Sequence, residues 1–394
     1  MPTETPTGAP VPVPTEAPGP PTDGRATGRE TEPVLSIRGL RVDYPLRGRR
    51  LAGRHRHVRA VAGVDLDVHQ GETLGLVGES GCGKTTLGSS IMRARPEASG
   101  SIRYRAADGR VLDALALSSA DAAVYQREVR MVFQDPQSSL NPRMTLRDIV
   151  GEPLRMLLGL RGRELEARVR QTMERVGLHP DHLRRYPHAF SGGQRQRVSI
   201  ARALVPGPRL VVADEAVSAL DTSVRSQILN LLQDLQDDLG LTYLFVSHDL
   251  SVVEHVCDRV AVMYLGRIVE TAPTGELFTG PLHPYTEALI SAVPIPDPRL
   301  RGTRERVRLT GEVPDPSQPP PGCPFHPRCR YATDLCATEE PVPREVAPGR
   351  EVACHHAERL DLAGITGPVG SGVPGFDPPT RPRREPPTRQ EKNP

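Results

Sequence analysis

The stretch Gly78-Glu79-Ser80-Gly81-Cys82-Gly83-Lys84-Thr85 has the spacing G-x-x-x-x-G-K-[ST] of a loop that wraps phosphate oxygens. Its glycines let the backbone approach an anion closely, and successive N–H groups at a helix start form a nest for it. Lys84 brings positive charge to β- and γ-phosphates, the Thr85 hydroxyl is a ligand for Mg2+, and Thr86 follows on the same helix. More than a hundred residues on, Phe190-Ser191-Gly192-Gly193-Gln194 offers a hydroxyl and backbone N–H groups at a second helix start. A protein that only binds a nucleotide has no use for two phosphate clamps. The second makes sense when presented to the ATP held by another subunit, so that two chains close around nucleotide and separate after hydrolysis.

Between and beyond these clamps stand groups suited to hydrolysis. Leu210-Val211-Val212-Ala213 runs into Asp214 and Glu215, two carboxylates at the end of an apolar strand. Asp214, beside the phosphate loop, is placed to hold Mg2+ through its water shell. Glu215 points elsewhere, where a carboxylate can position and deprotonate an attacking water. Gln134 precedes Asp135-Pro136 and offers a neutral amide to Mg2+ or to that water. His248, at the end of another apolar run, can hydrogen-bond the γ-phosphate and the same water. Alone, a Gln in a loop or a His at a strand end is an ordinary polar cap. Their order along the chain is what gives them weight.

These residues need a rigid scaffold. Residues 74–77 read as a buried strand entering the phosphate loop, and 84–93 as a helix leaving it. Short continuous apolar runs at 129–133, 210–213 and 243–246 are expected as central strands buried on both faces. Residues 223–239 place Ile228, Leu231, Leu232, Leu235 and Leu239 on one helical stripe. From about 136 to 205 strand signals give way to helical ones, at 146–158 and 164–176, which predicts a helical subdomain inserted into an α/β core. Residues 1–33 and 364–394 are rich in Pro and poor in large apolar side chains, the composition of disordered tails. That leaves an ATPase domain over 34–280 and a Pro-rich extension over 281–363.

Composition narrows the function classes. Lys+Arg 50 against Asp+Glu 48 leaves a net charge of +2, so no basic field points to nucleic acid. Aromatics are 4% with no Trp, which argues against base-stacking surfaces. No apolar run approaches the ~20 residues of a membrane helix. A soluble cytoplasmic protein is expected, touching a membrane only through a partner.

The succession of phosphate loop, Gln134, Ser191-Gly192-Gly193-Gln194, Asp214-Glu215, Ser218-Ala219-Leu220-Asp221 and His248 resembles the nucleotide-binding subunits of ABC transporters, over roughly residues 34–270. The resemblance implies a P-loop NTPase core with a mixed sheet, ATP and Mg2+ as cofactors, and a head-to-tail dimer. In that dimer Ser191 and Gly193 grip the γ-phosphate bound by the other subunit, and Asp221 crosses the interface beside Glu215. Tyr44 becomes a candidate for stacking on adenine, with His57 a weaker substitute across the basic stretch 47–59. Phe190 stands where Leu is usual and Ala216 where Pro is usual; neither removes a phosphate contact.

Residues 283–289, 323–329 and 186–190 are similar to segments of the oligopeptide/dipeptide and nickel importer family. This implies an importer ATPase on the cytoplasmic face of the cell membrane. Its partners would be a second, unlike ATPase subunit, two membrane permeases and an extracytoplasmic binding protein, and its solute a short peptide. Nickel or another small solute is the alternative cargo. A soluble, non-transport ABC ATPase acting as a conformational switch is the alternative function, against which stand the single cassette and the absence of a long coiled coil.

Cys323, Cys329, Cys336 and Cys354 cluster in the extension, separated by five, six and seventeen residues. These spacings lack the C-x-x-C knuckle of structural zinc sites. Four thiolates suit an iron–sulfur cluster, and the importer resemblance also implies a 4Fe-4S centre. Zinc, with help from His326, His355 or His356, and unmetallated packing cysteines are the other readings.

Overall fold

The apolar runs that are too short for helices form the centre of the molecule. The computed structural model describes residues 32–45, 57–93, 95–293 and 307–365. Most of the two tails expected at the termini, and most of the basic stretch 47–59, lie outside them. Along the chain come β1 (Leu35–Pro45), β2 (His57–Val68), β3 (Thr73–Val77), β4 (Ala98–Arg105), β5 (Val111–Asp113) and β6 (Val129–Val132). Then follow β7 (Leu210–Asp214), β8 (Thr242–Val246), β9 (Arg259–Tyr264), β10 (Arg267–Pro273), β11 (Arg344–Ala347) and β12 (Arg350–Val352). They build an antiparallel sheet, β2-β1-β4-β5, and a mixed sheet, β11-β12-β10-β9-β3-β8-β7-β6.

Strands β6, β7, β8, β3 and β9 run parallel, and every residue of β3, β7 and β8 is buried. Alternation along β7 assigns its two faces. Leu210 and Val212 join the core under the antiparallel sheet, and Val211 and Ala213 join the core under the helices. In register, Leu76 pairs with Val246 and Val246 with Asp214. The carboxyl ends of three strands therefore finish level, at the edge where open α/β sheets bind ligands.

The helices are α1 (Lys84–Ile91), α2 (Ser119–Glu128), α3 (Pro136–Ser139), α4 (Leu146–Leu158), α5 (Gly162–Arg175) and α6 (Gly192–Leu204). After them come α7 (Thr222–Leu239), α8 (Leu250–Val256), α9 (Thr274–Thr279), α10 (Pro284–Ser291) and α11 (Asp334–Thr338). From α3 to α6 the chain contains no strand, only helices and two short 3-10 turns. Thr145 caps α4 by accepting a hydrogen bond from the Asp148 N–H, and Gly159 closes it in the left-handed conformation. Leu146, Ile149, Val150 and Leu154 form its buried face. Strand β6 stops at Val132, one residue before the end of the apolar run, and Phe133 is 48% exposed. The chain turns there toward α3, so hydrophobicity outlasts the strand.

The extension after α10 packs onto the cassette. Val352 of β12 pairs with Glu270 of β10, and the Ile365 N–H donates to the Phe278 carbonyl at 2.6 Å. Phe325 is buried against the rings of Tyr264, Tyr285 and His283. Among the described residues no helix is long and apolar enough to cross a membrane.

Leu154→Ala is expected to cost about 2–5 kcal/mol in urea unfolding, since it empties a fully buried site. Met156→Ala on the same helix, at a position 78% exposed, should stay within about 0.5 kcal/mol of wild type.

Candidate functional site

The phosphate loop joins β3 to α1 and folds so tightly that side chains are excluded. Gly78 has φ 153 and Gly83 φ 111, and a Cβ at either would lie 2.2 Å from the Met263 carbonyl or 2.1 Å from that of Ala60. Only glycine fits there. Lys84 is buried and crosses the loop, donating from Nζ to the carbonyls of Gly78 at 2.7 Å and Glu79 at 3.0 Å. Ser80 and Gly81 form the exposed tip. The Cys82 carbonyl accepts from the Gly266 N–H, which ties the loop to the β9–β10 turn, and burial pushes the Cys82 thiol pKa up. Thr85 faces outward, and its Oγ1 donates to Asp214 Oδ1 at 3.4 Å. The Thr86 carbonyl accepts from the Ser89 and Ser90 hydroxyls inside α1.

Asp214 and Glu215 diverge as their strand ends. Asp214 is buried; burial, reinforced by the neighbouring Glu215 charge, raises its pKa above the usual carboxylate value despite Thr85 and Lys84. Glu215 takes φ 47, a left-handed conformation uncommon outside glycine. It is held there by its own N–H on the Val246 carbonyl at 2.9 Å, and by the Ser218 N–H and hydroxyl on its carbonyl. The turn aims the carboxylate between two side chains from distant parts of the chain. Gln134 Nε2 donates to Oε2 at 2.7 Å, and His248 Nδ1 lies 3.0 Å from Oε1. With Glu215 ionised, the ring must donate through Nδ1, which leaves Nε2 for a further partner.

The Ser191–Gln194 stretch is already folded as a helix start. Ser191 caps α6 in a capping box: its Oγ accepts from the Gln194 N–H, and the Gln194 side chain accepts from the Ser191 N–H. Ser191 and Gly192 are exposed, and a Cβ on Gly193 would meet Val224 Cγ1 at 2.4 Å. Among the described residues no hydrogen bond or ion pair joins Ser191–Gln194 to the phosphate loop of the same chain. Asp221 is exposed at the N-cap of α7. Tyr44 is half-buried on β1, opposite Val58, with the Arg95 guanidinium 5.6 Å from its ring centroid. His57 pairs with Pro45 at the start of β2.

Thr85 and Asp214 suit Mg2+, which takes few protein oxygens and keeps water and phosphate around it. The cysteines fare differently. Cys323, Cys329, Cys336 and Cys354 are unbridged, and they lie near enough that neighbouring thiols help raise the pKa values of Cys323, Cys329 and Cys354. Burial is the larger cause, pushing Cys323 up to about 12 and Cys329 to about 11. Yet among the described residues no group of three or more His, Cys, Asp or Glu is placed to hold a metal ion. His326 Nδ1 and His355 Nε2 each lie 2.9 Å from a backbone carbonyl, those of Cys323 and Glu339. The expected iron–sulfur centre therefore finds no support, and neither does zinc.

Sequence reasoning missed the groups that touch the loop from the extension. The Glu79 N–H donates to Tyr285 Oη at 2.8 Å, and Arg328 pairs with the Glu79 carboxylate at 2.9 and 3.2 Å. The segments carrying Tyr285 and Arg328 stood out in the sequence, but no spacing rule links partners 249 residues apart.

A phosphate loop and an acid pair at the edge of one mixed sheet, with a capped, exposed helix start at Ser191, are the features of an ATP-binding cassette, and two family profiles agree. Residues 61–218 match "ABC transporter", and residues 269–336 match "Oligopeptide/dipeptide transporter, C-terminal region". The chain is 46% identical to the oligopeptide transport ATP-binding protein AppF of Bacillus subtilis, over 84% of this chain and 99% of that one. It is 46% identical to the dipeptide transport ATP-binding protein DppF of Haemophilus influenzae, over 84% and 98%. Among solved structures it resembles the ATP-binding cassette MJ0796, described as a dimer in a post-hydrolysis state bound to ADP and Pi. That match has TM-score 0.52 and 26% identity, and covers 61% of this chain and 98% of that one. The chain belongs to the ABC transporter family, as an ATP-binding and ATP-hydrolysing subunit with the oligopeptide/dipeptide-type C-terminal region.

The raised Asp214 pKa has a testable sign. Above its unfolded value of 3.8 the ionised group opposes folding, fully so once the pH exceeds the folded pKa. Asp214→Asn should therefore raise the urea midpoint of the nucleotide-free protein at pH 7, and the difference from wild type should fade as the pH falls toward about 4.

Proposed function

We propose that this subunit energises import of short peptides, working as one half of a pair of cassettes that share their two ATP sites. The observation that carries the hydrolytic part is the junction at Glu215. One carboxylate is gripped by an amide from the start of the helical segment and by an imidazole from the end of β8, next to the Thr85–Asp214 pair. Mg2+ at Thr85 and Asp214 would neutralise phosphate charge. Lys84 and the loop N–H groups bind the β- and γ-phosphates, and Tyr44 stacks on the adenine. Glu215 orients the attacking water and takes its proton, His248 as an imidazolium donates from Nε2 to the γ-phosphate, and Gln134 reports the position of the helical segment to the site. Ser191 and Gly193 complete the ATP site of the neighbouring subunit, and Asp221 crosses beside Glu215. The exposure of Ser191 and Asp221, and the absence among the described residues of a bond from Ser191–Gln194 to their own phosphate loop, support that reading, as does the dimer named for the related cassette.

The solute follows from relatives named for oligopeptide and dipeptide transport, matched over nearly their whole length. We place the subunit on the cytoplasmic face of the membrane, with an unlike second cassette, two permeases and an extracytoplasmic binding protein. The C-terminal match argues against a soluble switch without transport. Peptide names among the relatives favour peptides over nickel.

Glu215→Gln should keep ATP binding, trap the closed pair on a sizing column and cut turnover ~10²-fold or more. Turnover at the wild-type rate would remove Glu215 from the mechanism. Ser191→Arg should leave nucleotide binding by the single subunit intact and block pairing. Loss of binding by that single subunit would show that the site is not shared.

A further inference from the structure

A carboxylate sits in a loop that must bind a polyanion. Glu79 follows Gly78 directly, and Lys84 Nζ reaches the Glu79 carbonyl, not its side chain. Left alone, the Glu79 charge would repel incoming phosphates. It is not left alone. Arg328, its side chain 8% exposed, forks onto both carboxylate oxygens at 2.9 and 3.2 Å. Two fixed parallel bonds of this kind give a guanidinium a defined orientation as well as a charge partner.

Arg328 is itself held. Its guanidinium carbon lies 5.9 Å from the centroid of the Tyr264 ring. Phe325, three residues earlier, anchors the segment against Tyr264, Tyr285 and His283. Tyr285 belongs to the same cluster and accepts the Glu79 N–H, so one aromatic wall fixes both the backbone and the side chain of Glu79. The wall is fixed in turn, because buried Glu270 accepts the N–H groups of Leu282 and His283 where α10 begins.

We propose that Arg328 is a positioning residue for ATP, acting through Glu79: it cancels the one negative charge carried by the phosphate loop and holds that side chain against the extension. The extension thereby becomes part of the nucleotide site without touching nucleotide. The proposal rests on the nucleotide-site reading above.

The test is equilibrium binding of a fluorescent ATP analogue with Mg2+, with a thermal melt for each variant. Arg328→Gln, which frees the Glu79 charge, should weaken binding about tenfold, and the deficit should shrink at high salt. Glu79→Gln alone, leaving the Arg328 charge unmatched beside the phosphates, should tighten it about threefold. Adding Glu79→Gln to Arg328→Gln should bring affinity back to within about twofold of wild type. A purely structural brace would give no such recovery, so a double variant as weak as Arg328→Gln overturns the proposal. Wild-type affinity in Arg328→Gln does so too. If Arg328→Gln does not fold, Glu79→Gln decides alone: weaker binding in that variant overturns the proposal. Lys84→Ala separates the two readings, since retained affinity there would remove the nucleotide site itself, whatever Arg328 does.

Discussion

The level ending of three parallel strands is the constraint on which the site depends. Leu76, Val246 and Asp214 stand side by side, so the loop after β3, the acids at the end of β7 and His248 after β8 leave the sheet at one height. Each strand is buried on both faces, and a slip of one residue would carry its side chains into the wrong core. Packing therefore fixes the heights, and the heights set the distances among the side chains at this edge. Gln134 enters through the same logic, because β6 pairs with β7 and releases the chain beside Glu215.

Glu215 shows what a level edge cannot do alone. A regular strand end would point adjacent side chains to opposite faces of the sheet. The left-handed turn at Glu215 breaks that alternation, and it persists because the Val246 carbonyl and Ser218 occupy its backbone groups. With both carboxylate oxygens already engaged by Gln134 and His248, movement of the helical segment that starts after Gln134 has a direct route to the acid.

Much of this was legible in the chain because it is local. A short apolar run before a Gly-rich loop, or one of four residues running into two acids, needs no tertiary information, and β3, β7 and β8 are found where those runs stand. The errors are local as well: the run through Phe133 looked like strand to its last residue, but apolar character says nothing about where a chain must turn. What depends on distant partners was not legible. The Glu79–Arg328 pair and the Arg95 guanidinium over Tyr44 join residues brought together only by folding, whereas for Gln134, Glu215 and His248 the sequence pointed to a shared neighbourhood but not to the direct bonds to the carboxylate. The cysteines mark the opposite limit. Thiol count suggested a metal centre, whereas among the described residues no group of three or more metal-ligating side chains is placed to hold one.

The hairpin β11–β12 has a consequence for solubility. Without it, β10 would present open N–H and C=O groups along Val269 to Ala272, an invitation for another chain to add a strand. The hairpin moves that boundary outward to strands of four and three residues bearing Arg344, Glu345, Arg350 and Glu351. Short, charged margins of this sort are poor templates for fibril growth, so the extension blunts this edge of the sheet against strand addition.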